Sequence, residues 1–163
     1  MRLSSFFALA LIVAGFGGPR ASAAAPVEIV RIWSGYRTSS SFDRIGDYLH
    51  RGDYSGGETV RRSQPGAIAG YYFLVRLKNP GEAVPAATFD LQIIAPTSPD
   101  PKHYTFKADV PAGSKAVDLG LTGPDWPDAA AKAVAWQLTV HAPDGTELAR
   151  QQSFLWSMPA AKR

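Results

Sequence analysis

The chain has 163 residues, with 17 Lys and Arg, 14 Asp and Glu, three His and no cysteine. The lack of cysteine excludes disulfides, a thiol nucleophile and thiolate metal sites. A cysteine-free exported domain also fits a bacterial periplasmic or extracellular setting better than a disulfide-stapled eukaryotic one.

The first 23 residues, MRLSSFFALALIVAGFGGPRASA, read as a cleaved export signal. Arg2 opens a short positive region, Phe6 to Gly17 is apolar, and Ala21-Ser22-Ala23 is a small-x-small cleavage site. The apolar run is shorter than the ~20 residues a spanning helix needs. No later segment is long enough, so no membrane span is expected after signal removal. Cleavage takes Arg2 and Arg20 and leaves 15 basic against 14 acidic residues, a charge of +1. That balance gives no basic footprint for nucleic acid. Residues 24–163 are then a single domain, long enough for an adequate core.

Period-two alternation dominates that domain. Val27 to Tyr36 is the expected first strand. Ser41 to His50 then reads as a short helix, with Ser41 as its cap, Gly52 as its stop and Phe42, Ile45 and Leu49 on one face. Residues 52–68 form a glycine-rich excursion holding a short strand at Glu58 to Arg62. Gly70 to Lys78 is a central strand, with Phe73, Val75 and Leu77 inward and Arg76 and Lys78 outward. Thr88 to Ile93 turns Phe89, Leu91 and Ile93 inward. His103 to Ala108 does the same with Tyr104, Phe106 and Ala108. Val117 to Leu121 is a short strand. Ala133 to Val140 puts Val134, Trp136, Leu138 and Val140 on one face. Thr146 to Trp156 is the last strand, with a bulge near Arg150, ending before Pro159; residues 160–163 are a tail. Pro143-Asp144-Gly145, between two alternating runs, is a hairpin turn, because Pro presets φ and Gly accepts a positive φ.

Seven or eight short strands with such punctuation define an all-β, antiparallel two-sheet sandwich with one short helical insertion. The strand spacing, with Trp136 on a strand, resembles the immunoglobulin and fibronectin type III class. No cysteine pair flanks Trp136, which departs from antibody domains. The ending, Pro143-Asp144-Gly145 followed by Ser153-Phe154-Leu155-Trp156, is similar to small exported proteins of environmental bacteria. Neither resemblance carries over a catalytic or binding residue.

Candidate chemistry is sparse. His50, His103 and His141 match no local metal motif, although His103 and His141 fall on the polar phase of their strands. No G-x-S-x-G elbow occurs, so a hydrolase is only a third reading. Arg51-Gly52-Asp53 spells an integrin tripeptide, but Gly52 is better explained as a helix stop. Arg37, Arg44, Arg51, Arg61 and Arg62 cluster around the helix and the excursion, which suits capture of an anionic group. Pairing with the interleaved Asp43, Asp47, Asp53 and Glu58 explains the same cluster.

The stretch GLTGPDWP, residues 120–127, holds Trp126 in a stiff loop, because Pro124 and Pro127 fix their own φ and restrict the residue before each. Pro127 is also placed to open a helical turn through Lys132. Trp126 is either a plug closing the end of the sandwich or a platform for a sugar ring, with Asp125 beside it and Tyr36, Tyr71 and Tyr72 as neighbours. The expected function is an exported, non-enzymatic binding module, with no cofactor, that docks another protein through a sheet face, an edge or a loop end. The alternative is a carbohydrate-binding module for a polysaccharide, using Trp126, the tyrosines and the arginines. Oligomeric state is not legible.

Overall fold

The computed structural model describes residues 27–42 and 58–157. The export signal, most of the expected helix, His50, Arg44, Arg51, Asp53 and Pro159 lie outside the described residues. Eight strands run in the order β1 (Glu28–Arg37), β2 (Glu58–Arg62), β3 (Gly70–Asn79), β4 (Val84–Ile94), β5 (Lys102–Val110), β6 (Gly113–Thr122), β7 (Ala135–His141) and β8 (Glu147–Gln152). They form two four-stranded sheets, β1-β3-β6-β2 and β5-β4-β7-β8.

The expected two-sheet sandwich is the fold. Its order matches an immunoglobulin-like frame, with β1, β3 and β6 in the A, B and E places and β4, β7 and β8 in the C, F and G places. Neighbouring strands are antiparallel, except that edge strand β2 runs parallel to β6.

Alternation makes the core. Phe73, Val75 and Leu77 from β3 and Val117, Leu119 and Leu121 from β6 meet Phe89, Leu91 and Ile93 of β4 and Leu138 and Val140 of β7, all fully buried. Three boundaries differ from expectation. β6 is not short: its polar start, Gly113 to Lys115, pairs with Leu77 to Asn79 of β3, and this cross-strand pairing extends it. β7 begins after Val134, which is 44% exposed and not part of the inner face. β8 stops at Gln152 and a 3-10 turn covers Phe154–Ser157, because Ser153 closes the ladder: its N–H donates to the Trp136 carbonyl and its Oγ accepts from Trp136 N. The expected bulge is present one residue pair earlier, between Val140 and His141 of β7 opposite Ala149 and Glu147.

The helix opens earlier than expected. Residues 39–42 are already helical, and Ser41 N donates to the Thr38 carbonyl at 3.1 Å, so Ser41 sits inside the first turn and is not its cap. The 143–145 hairpin forms as expected. Gly145 has φ 86°, and Asp144 Oδ1 accepts from Thr146 N at 2.9 Å. That bond also lowers the Asp144 pKa.

Candidate functional site

The outer face of the first sheet is built by the β1–β3 register, which sets Trp33 opposite Leu74 and Gly35 opposite Tyr72. These four residues share the outward phase, and with Tyr36 and Arg37 they line a groove of about 200 Å³. A Cβ at Gly35 would meet nothing within 4 Å, so its missing side chain leaves the floor open. Trp33 is 41% exposed, with the Arg31 guanidinium 4.8 Å from its ring centroid. Sequence reasoning missed Trp33, although its pairing with an exposed-phase arginine two residues earlier was a usable signal.

One wall of the groove is a packed cation–aromatic cluster. Tyr72 points outward from β3 yet is 1% exposed. Its ring lies over Gly120, where an added Cβ would fall 2.4 Å from the ring. Phe42, in the first helical turn, packs at 5.0 Å from it. The guanidiniums of Arg37 and Arg62 lie 5.6 and 5.4 Å from the Phe42 ring. Arg37 Nη1 also pairs at 2.8 Å with Asp118, a buried acid on β6. Arg62 Nε donates to the Tyr72 hydroxyl at 2.9 Å, which itself donates to the Ile68 carbonyl. Arg61 Nε reaches across the sandwich edge to the Lys107 carbonyl at 2.7 Å. The three described arginines of the cluster are therefore engaged within the chain, and their partners are Asp118, a hydroxyl and a carbonyl. Asp118 carried a signal that was overlooked, a lone acid inside the apolar run around Val117 and Leu119.

Of the expected sugar platform, only Tyr36 and Tyr72 reach this groove. Trp126 and Tyr71 are each 4% exposed and stack on one another, with centroids 4.6 Å apart and planes at 30°. Both belong to the core, so Trp126 closes the sandwich end and presents no face to a sugar. Pro127 does not open a helical turn; Pro124 instead sits in the 3-10 turn Gly123–Asp125, and Trp126 N closes it on the Gly123 carbonyl. Asp125 accepts from Gln64 Nε2 at 3.0 Å. It also lies near Tyr104, whose pKa is raised by burial first and by the Asp125 charge second.

His103 and His141 do share one surface, a polar depression of about 480 Å³ on the outer face of the second sheet. His141 Nε2 lies 3.5 Å from Asp90 Oδ2. The register sets His103 opposite Gln92 and His141 opposite Thr88. Four residues along β4 is ~13 Å at ~3.3 Å per residue, so the imidazoles flank the depression and do not converge. Among the described residues, no three His, Asp or Glu side chains are grouped to hold a metal ion.

The four sheet edges differ in how they are defended. β2 has five residues, and its own Arg61 reaches out to the Lys107 carbonyl of β5. β5 exposes Lys102, His103 and Lys107, charged or polar groups of the kind that deter strand addition. β8 is bulged, and its Arg150 and Glu147 form an ion pair. β1 has ten residues, and beyond the irregularity between Ile29 and Arg31 its register with β3 is continuous to Arg37. It also carries two large exposed apolar side chains, Val30 at 48% and Trp33 at 41%. No protein-family model matches the chain, and no curated protein matches it. The sandwich and its surface aromatic cluster fit a generic binding module.

Proposed function

We propose that this protein is an exported, non-enzymatic binding module that docks an extended segment of another protein along β1. The observation that carries the reading is the edge of β1, which pairs on one side only among the described residues, beside a groove with Trp33 at its rim. An added strand gains affinity from main-chain hydrogen bonds, and alternate side chains gain specificity from pockets beside the edge. The Arg31–Arg37 stretch supplies the ladder and the open floor at Gly35 accepts a partner side chain. The leader-like residues 1–23 support export. The polysaccharide reading loses its main support with Trp126 in the core.

Photo-crosslinking in the producing cell tests this. A photoreactive residue at Val30 yields a discrete protein adduct, and the same residue at Thr105, on the far sheet, does not. Trp33→Lys, which places a charge at the edge, abolishes the Val30 adduct. A discrete adduct from Thr105 alone, or a Val30 adduct unaffected by Trp33→Lys, contradicts the proposal.

A further inference from the structure

The register that builds the groove also sets two like charges side by side. Arg31 of β1 lies directly opposite Arg76 of β3, and both are exposed on the outer face of the first sheet. Directly opposed residues stand ~5 Å apart at Cβ, and like charges at that spacing are unfavourable. The neighbouring positions do not offset them. Glu28, the acid of β1, stands one row away opposite Lys78. Ala116 is the β6 residue beside Arg76, and Asp118, the next outward residue of β6, pairs with Arg37. Glu58 of β2 stands beyond Ala116, two strands from Arg76 and ~10 Å away at ~4.8 Å per strand. Among the described residues, neither guanidinium has an ion-pair or hydrogen-bond partner.

Arg31 is nonetheless held in place. Its guanidinium lies 4.8 Å from the ring centroid of Trp33, at the rim of the groove. A guanidinium seated on an aromatic ring keeps its N–H fork for bidentate capture of a carboxylate. A segment added along β1 continues the same rows, because side chains alternate between the two faces. One of its outward side chains falls beside Arg31, with Arg76 a strand further on. The next outward side chain, two residues along, falls beside Trp33.

On the reading that docking runs along β1, we infer that the docked segment carries an aspartate or glutamate held by Arg31 and Arg76, and an apolar side chain two residues away packed on Trp33. A carboxylate in that row offsets the repulsion between the two arginines. A basic residue there makes three like charges in one row. A second copy of this chain fits poorly, because its β1 brings Arg31 and Arg37 against Glu28 as its one acid.

The test extends the Val30 crosslink in the producing cell. The adduct is digested and the partner's peptide sequenced by mass spectrometry. That peptide is expected to hold an acidic residue within about two positions of the crosslinked one, since Val30 adjoins Arg31 and side chains alternate. A synthetic peptide of that sequence, titrated against the purified protein, binds about fivefold more weakly when the acid is replaced by its amide. Arg76→Glu lowers the adduct yield by about as much, and Arg76→Lys restores most of it. Lys107→Glu, on the far sheet, makes the same change in net charge and leaves the yield alone. A crosslinked peptide with no acid near its site, equal binding of the acid and amide peptides, or an adduct of twice the chain's mass overturns the assignment and leaves docking along β1 standing. No Val30 adduct at all overturns both.

Discussion

Trp126→Phe is expected to change folding stability by less than about 1 kcal/mol, while Trp126→Ala lowers it by about 3–5 kcal/mol. Trp126 is 4% exposed and stacked on Tyr71. Phenylalanine keeps that stack and gives up roughly 50 Å² of the ~200 Å² an aromatic side chain buries. At ~25 cal/mol per Å² the loss is about 1 kcal/mol. The same substitution removes the buried, unpartnered indole N–H, whose desolvation is unfavourable by about 1–3 kcal/mol. The two terms oppose each other and nearly cancel. Alanine removes the stack and the plug together, so nothing offsets its cavity. Urea unfolding followed by far-UV circular dichroism reads both variants without relying on tryptophan emission. At ~2–4 °C per kcal/mol for a domain of this size, the alanine variant melts about 10 °C lower. A phenylalanine variant that loses about 2 kcal/mol or more refutes the reasoning, because it means that the indole N–H makes a hydrogen bond worth keeping.

Other substitutions probe other links. Gly120→Ala drives a Cβ to 2.4 Å from the Tyr72 ring, and overpacking of this kind lowers stability by about 1–3 kcal/mol; an unchanged urea midpoint means the ring can move aside. Ala86 sits at φ 49° in the irregular start of β4, a left-handed conformation for a non-glycine residue. Ala86→Gly therefore raises the urea midpoint, by about 1 kcal/mol in stability, and a lowered midpoint rules out strain there. Tyr104 ionises at a higher pH in the folded protein than its ordinary 10.0, through burial and then the Asp125 charge. A raised folded pKa contributes stability that is present below pH 10 and lost as pH rises through the folded value. Tyr104→Phe should flatten the alkaline limb of the stability profile above pH 10, and an unaltered limb contradicts that cause.

The core was legible wherever both sheet faces obeyed the pleat. Phe89, Leu91, Phe106 and Leu138 alternate with polar residues, and each lies inside. Legibility failed where pairing or exposure broke the pattern. Gly113 to Lys115 join β6 because β3 is there to pair with them, a fact that no local sequence contains. Phe154 and Leu155 look like strand core but are 76% and 54% exposed. The sequence leaves Trp126 between plug and platform, since a stiff loop serves either use and only its stack on Tyr71 decides between them. Trp33 escaped notice because the irregularity between Ile29 and Arg31 shifts the phase of β1, which hides which side each residue takes. The arginine cluster was visible, yet its main acid, Asp118, lies 81 residues from Arg37 in the chain.

The claim that docking runs along the β1 edge is tested most directly by amide hydrogen exchange, with and without the partner captured at Val30. The account predicts that protection gained on binding falls on the amides of Arg31–Arg37 and on few others. Protection that falls on β5 or β8, with β1 unchanged, contradicts it.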